Sequence, residues 1–407
     1  MTDWTEPPTA AEATILDRID AATALDRALA WSAINSGSRN LAGLTAMADA
    51  LTPVLGTFGP VARVAPAAAT TVDARGQAQP LAHGENLHLV VRPDAPVRVL
   101  LTGHMDTVFA AEHPFQQVTW RDAGTVNGPG VADMKGGIAV MLAALEVVLP
   151  ATPELGVEVV INADEEVSSP GSAPLLAAAA KRCHLGLTYE PALADGTLAG
   201  GRRGSGNFAV VIRGRAAHAG REPEAGRNAI VAAADLVLRL AAMGTSDLSV
   251  NVAKIDGGGP NNIVPDLAIV HVNLRPATMA AQARAQAGIA GACQAVAAAH
   301  EVRVDASGGF ARPPKPLDAN QRRAFDLVRG CGTALGLGVG WRDTGGVCDG
   351  NNLAATGLAV VDTMGVRGGA IHSADEFLLV DSLAERARLS ALVLLRVARH
   401  GFARAAA

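Results

Sequence analysis

Residues 157–172, VEVVINADEEVSSPGS, carry an apolar run directly into three consecutive carboxylates, Asp164, Glu165 and Glu166, followed by small turn-forming residues. The apolar half reads as a buried strand, and a nearly continuous run of this kind suits a sheet covered on both faces. The acidic half is less obvious, because neighbouring carboxylates repel and are costly to bury without positive partners. Taken alone, the triplet reads as a solvated turn after a strand.

The flanking sequence repeats the pattern. NLHLVV (86–91) and VRVLLTGH (97–104), separated by the turn RPDAP, are expected to be neighbouring strands. MKGGIAVMLAALEVVLP predicts a helix from about Lys135 to Val148, and a helix over 173–182 precedes the strand CHLGLTYE. Ahead of these, Ala11 to Leu51 is mainly helical, broken by the loop INSGSRNLAG. This alternation predicts an α/β sandwich around a central, largely parallel or mixed sheet. The texture changes near Arg203. GNFAVVIRG, PEAGRNAIVAAADLVLRLAAM, DLSVNVAKIDG, DLAIVHVNLRP, TMAAQARAQAGIAGACQAVAAAH and EVRVDASG read in order as βαββαβ, a ferredoxin-like unit. The expected organisation is a larger domain of residues 1–203 and 311–407, with a small domain, 204–310, inserted between its halves.

The 407 residues are 49% hydrophobic with a net charge of −5, enough for a sizeable core but with no basic field for nucleic acid or an anionic membrane. No apolar run is long enough to cross a bilayer. The opening MTDWTEPPTAAEATILDRID lacks the basic and apolar regions of a secretory signal. A cytoplasmic setting is expected, or a periplasmic one if a leader has been removed. Cys183, Cys293, Cys331 and Cys348 form no CxxC and read as reduced, mostly buried thiols.

Phosphate-loop, nucleophile-elbow and HExxH motifs are absent. Instead, His, Asp and Glu recur where predicted strands end. In LLTGHMDTV, His104 and Asp106 lie two apart on extended backbone, so the Asp106 carboxylate can accept the second ring N–H of His104, as beside a metal-bound imidazole. Asp133 in GPGVADMKGG also reads as a helix N-cap. Glu190 closes the strand before Pro191, and His372 lies in AIHSADE. Strand ends of an α/β sheet open onto one crevice, which would gather His104, Asp133, Glu165, Glu166, Glu190 and His372. So many carboxylates need compensation. Two divalent cations would supply it, and imidazole plus carboxylate without thiolate suits zinc, with cobalt or manganese as alternatives. On extended backbone Glu165 and Glu166 would face opposite sides and hold different roles. Asp164 has no role that the residues suggest.

GHMDTV, GPGVADMKGG, NADEEVSSPGS, TYEP, GRAAHAG, NNIVPD and AIHSADE, in this order over about residues 30–400, resemble the M20 metallopeptidases, most of all their glutamate carboxypeptidase (carboxypeptidase G2-like) branch. The resemblance implies that Asp133 bridges two metal ions, with His104 and Glu190 on one, and Glu166 and His372 on the other. It implies Glu165 as general base, Asp106 orienting His104, and a cis peptide after Asp133. It also implies that the inserted domain is a lid and dimerisation domain. His218 of GRAAHAG would then reach the partner subunit's active site to help hold the oxyanion. Asn262, Arg275 and Gly346 would lie at the pocket for the substrate carboxylate. From the residues alone, His218 is equally a surface-loop histidine, and Arg275 a salt-bridged strand-end residue.

Val347 and Cys348 stand where Gly and Ser or Thr are typical of that branch, and Arg202 with Arg203 is a further local feature; both bear on substrate preference. Cys348 reads as a packed thiol. The expected activity is hydrolysis of a peptide or N-acyl amino acid by a homodimer. Deacetylase, aminoacylase and dipeptidase chemistry are alternatives on the same metal core. A non-catalytic binding homologue is a more distant one, although every expected ligand and the base are present.

Overall fold

A computed structural model describes residues 3–404. Its centre is a six-stranded mixed sheet. Five of its strands are β1 (Val61–Val64), β2 (Asn86–Val91), β3 (Val97–His104), β4 (Leu155–Asn162) and β5 (Leu185–Thr188), and the sixth is Ala359–Val361. The order is β1-β2-β4-β3-β5 followed by Ala359–Val361. β3, β4, β5 and the last strand run parallel, β2 pairs antiparallel with β4, and β1 pairs antiparallel with β2.

This order corrects the expectation that β2 and β3 pair. β4, buried along its whole length, lies between them. A side chain in the intervening turn fastens this placement. Arg92 donates to the carbonyls of Leu149, Thr152 and Leu155, pinning the entry of β4 at the gap between the two earlier strands. The most apolar strand thus gains neighbours on both edges as well as cover on both faces.

Helix α1 (Gly136–Val148) is almost wholly buried, packed against the sheet and the C-terminal helix, with Glu146 its one charged residue, as a helix apolar nearly all round must be. α2 (Ala173–Arg182) flanks the other face, where its Arg182 and His88 of β2 both reach Glu158 in the middle of β4.

Between the halves of this layer lie β6 (Ser205–Arg213), α3 (Ala229–Ala241), β7 (Leu248–Gly257), β8 (Leu267–Pro276), α4 (Met279–His300) and β9 (Arg303–Arg312). They form a separate antiparallel sheet, order β7-β8-β6-β9. The helices pack on one face of it over their own core, which includes Val210, Ile212, Leu236, Val270, Leu274 and Ile289. The expected βαββαβ order is present, with the last strand running two residues past 310. A hairpin from the larger layer, Ala69–Val72 with Ala78–Leu81, touches this sheet, where Arg213 of β6 donates to the carbonyls of Arg75 and Gly76. The chain closes with α5 (Asp381–His400). Among the described residues no helix is long and apolar enough to cross a membrane.

Candidate metal centre and active site

The parallel register carries three chain segments to one edge. His104, the last residue of β3, lies opposite Asn162 at the end of β4, and Thr102 opposite Thr188 at the end of β5. The residues that follow, Asp164–Glu166 and Glu190, therefore emerge beside His104. His104 Nδ1 is 3.0 Å from the backbone carbonyl of Asp106 and 3.3 Å from its carboxylate. Asp106 orients more than the ring, because its two oxygens also accept the backbone N–H groups of Glu165 and Glu166 at 3.1 Å and the hydroxyl of Ser38 at 2.7 Å.

That contact folds the acidic triplet, and here the structure departs from the extended backbone expected. Glu165–Val167 is a single 3₁₀ turn, followed by Ser168 and Ser169 in the left-handed region. The two glutamates still diverge. Glu165 Oε1 accepts from Arg312 Nη2 at 2.6 Å, whereas Glu166 Oε2 lies 3.1 Å from His372 Nε2. Asp164, read as part of a solvated turn, is buried and accepts from Gly171 N and Ser172 Oγ, both at 2.5 Å. It closes the loop that carries the other two.

Asp133 sits between the imidazoles, with Oδ1 3.1 Å from His104 Nε2 and Oδ2 3.3 Å from His372 Nε2. It is not a cap: α1 begins after Lys135 with no capping side chain, and the expected cis peptide joins Asp133 to Met134. The loop is held from below by buried Glu376, whose carboxylate accepts the N–H groups of Gly130, Ala132 and Asp133 at 3.0–3.1 Å. Glu190 Oε1 completes the cluster 3.8 Å from His104 Nε2 and, although buried, has no hydrogen-bond partner.

These residues fit divalent cations. Donor atoms of His104, Glu165 and Glu190, and those of His104, Asp133 and Glu166, lie within 4.8 Å of one another. Burial, and then the charge of Asp133, push the Glu166 carboxyl up to about 7 and also raise Glu190. Carboxylates so crowded favour a cation that keeps them ionised. The orphaned oxygen of Glu190 is the kind of acceptor such an ion satisfies.

The substrate-side residues lie elsewhere. His218 and Asn262 are together on exposed loops of the inserted unit, where Ala219 N donates to the Asn262 carbonyl and His218 Nδ1 accepts from its own loop. Neither reaches the carboxylate cluster within this chain. Arg275, at the end of β8, donates to the carbonyl of Gly345, next to exposed Gly346. Cys348 is a packed thiol, its Sγ 3.4 Å from Asp362 Oδ2, and burial pushes it above the ordinary range.

The sequence reading passed over three residues. Arg312, at the end of β9, is buried between Glu165 and Asp349, with 2.6 Å contacts to each. Asp349 also accepts from Ser169 and Asn162. Glu376 stands inside the quoted AIHSADE. Only the acidic character of Glu376 was a signal, and for Arg312 there was none beyond its position before Pro313 and Pro314.

Comparison with known proteins gives the family. The model of Peptidase family M20/M25/M40 matches residues 100–396. Carboxypeptidase G2 of Pseudomonas sp. (strain RS-16) is 30% identical over 345 residues, 79% of each chain. A succinyl-diaminopimelate desuccinylase of Gluconobacter oxydans (strain 621H) is 29% identical over 308 residues, 70% of this chain and 78% of that one. The fold is shared with the M20 family metallo-carboxypeptidase Sso-CP2 of Sulfolobus solfataricus, at TM-score 0.68 and 13% identity over 91% of this chain and 98% of that one. It is shared equally with the aminopeptidase PepT of Bacillus cereus, at TM-score 0.68 and 21% identity over 93% and 99%. The matched span contains every residue of the carboxylate and imidazole cluster, and on it the chain is a member of peptidase family M20/M25/M40.

Proposed function

We propose that this enzyme hydrolyses an amide bond to release an amino acid with a free α-carboxylate, from a peptide or an N-acyl amino acid, at a site for two divalent cations. The observation that carries the reading is Asp133, whose two oxygens face one imidazole each, at 3.1 and 3.3 Å. His104, Asp133 and Glu190 would hold one ion, and Asp133, Glu166 and His372 the other, with zinc the best match to the donor set. Such ions, when bound, polarise the scissile carbonyl and acidify a water.

The chain's own residues supply the rest. Glu165 takes the proton of the attacking water and returns it to the leaving nitrogen. Arg312 fixes one of its oxygens, and burial raises the carboxyl well above its ordinary range against the pull of that arginine. Arg275 anchors the substrate carboxylate beside the exposed backbone at Gly346, and Asn262 assists from the loop paired with that of His218. His218 stabilises the oxyanion from a neighbouring subunit, which makes residues 204–310 a lid and dimerisation domain and the enzyme a homodimer.

Purified protein should bind two equivalents of zinc, cobalt or manganese. Glu165→Gln should keep that stoichiometry while lowering kcat by about 10²–10⁴. No metal, or near-normal turnover, would sink the mechanism. Within this reading, the similarity to carboxypeptidase G2 favours N-acyl glutamates or peptides as substrates, and the similarity to a desuccinylase favours N-acyl amino acids other than glutamate. A panel of N-acyl glutamates, N-succinyl amino acids and dipeptides separates the two by kcat/KM.

A further inference from the structure

Most deeply buried arginines in this chain are matched by carboxylates. Arg312 lies on Glu165 and Asp349, and Arg202 on Asp362 at 2.7 Å, and these partners hold both guanidinium groups up against the cost of burial. Arg386 of α5 is as buried, with its side chain 1% exposed, and is not matched in this way. Its Nη2 donates to the Gly196 carbonyl at 2.9 Å, but Nε and Nη1 have no hydrogen-bond acceptor. Glu385 Oε1 is 3.5 Å from Nε without hydrogen-bond geometry, and the same carboxylate is shared with Arg367, whose Nε also lacks an acceptor at 3.2 Å. Burial pushes the Arg386 guanidinium down to about 10; Glu385 offsets only part of this, and Arg367 adds repulsion.

Both arginines line a cavity of about 140 Å³ together with Gly196, Val339 and Glu385. Neither of the other carboxylates nearby pairs with Arg386. Asp381 meets Arg367 Nη2 at the solvent edge, 76% exposed, and exposed Asp195 accepts the N–H of Thr197 in its own turn. Arg367 thus has Asp381 at its outer end, whereas Arg386 has no carboxylate beyond the Glu385 it shares, and three buried N–H-bearing nitrogens of the pair are unpaired. Native interiors rarely leave such donors unsatisfied. A planar fork of guanidinium N–H groups suits an oxyanion.

We propose that the cavity between Arg367 and Arg386 binds a small oxyanion of the phosphate or carboxylate type, at a site built from none of the residues of the metal cluster. The test is thermal unfolding of the metal-loaded, full-length protein at constant ionic strength, titrated with sodium phosphate, sodium acetate or sodium chloride. Phosphate or acetate should raise the midpoint saturably, by on the order of 2 °C at ten times the Kd, and chloride should not; whichever oxyanion acts identifies the class. Arg386→Gln should abolish the response, and Arg275→Gln, altered at the candidate substrate carboxylate site, should keep it. A flat response to both oxyanions in the unaltered protein overturns the proposal. So does a response that survives Arg386→Gln or disappears in Arg275→Gln. Should Arg386→Gln not fold, Arg367→Gln serves, because its side chain is nearer the surface, and an unchanged response there is equally fatal.

Discussion

Glu376 shows how much of this site depends on a residue that need not touch substrate. Its carboxylate collects three backbone N–H groups of the segment that presents Asp133. It lies four residues beyond His372, so it ties the two loops together. Glu376→Gln replaces one acceptor oxygen by a donor and leaves part of that set unpaired. We expect it to weaken metal retention by about 10–100-fold, read by competition with a chelator, while the fold persists by circular dichroism. At this scale the sequence was most legible for ligand types and their order. His104, Asp133, Glu165, Glu166, Glu190 and His372 all come together as read from strand ends and motif context. Asp164 and Arg312 were not legible. The value of a buried charge depends on which partner faces it, and Arg312 stands 147 residues from Glu165 in the chain.

Among the elements, the contact between α1 and the end of β5 sets the depth of the site. A Cβ on Gly137 would lie 2.0 Å from the carbonyl oxygen of Tyr189, the residue before Glu190. The helix can approach the strand end this closely only without a side chain there. Gly137→Ala should cost about 1–3 kcal/mol, read as a lower denaturation midpoint, and should displace Glu190 with a matching loss of metal affinity.

On the opposite face, Glu158 in the middle of β4 carries a pH dependence. Burial alone would raise its carboxyl, but hydrogen bonds from His88 and Arg182 prevail and hold it below its ordinary value of 4.5. A carboxylate depressed in the folded state stabilises it fully above its unfolded pKa and ceases to do so as pH falls through the folded value. The stability difference between the unaltered protein and Glu158→Gln should therefore be constant near neutrality and shrink below about pH 4.5, in urea melts run as a pH series. Strands β2 to β5 were predicted, because their apolar runs and turns are clear, whereas the short edge strands β1 and Ala359–Val361 were not. The lateral order was not predicted either: β4 sits between β2 and β3 through ladders to both, and Arg92 fastens its entry by reaching carbonyls more than fifty residues away.

Across the whole molecule, His218 and Asn262 sit on the inserted unit, apart from the carboxylate cluster of their own chain. If His218 serves a neighbouring subunit, Glu165→Gln and His218→Ala should each be nearly inactive, yet a mixture should recover. In a mixed dimer, the His218→Ala subunit keeps Glu165 and receives the intact histidine of its partner. After exchange at equal concentrations, about a quarter of normal activity is expected from this symmetry. No recovery, with subunit exchange verified, would refute action across the interface.

The chain's own order of residues settled the α/β layer, the inserted βαββαβ unit and the chemical type of each candidate ligand, because hydrophobic period, turn residues and motif spacing are local properties. It could not settle the lateral order of strands, the 3₁₀ fold of the acidic triplet, the clamp of Glu376 or the pairing of Arg312 with Glu165. These follow from close approach between distant segments, where burial makes each charge depend on a partner that spacing along the chain does not reveal.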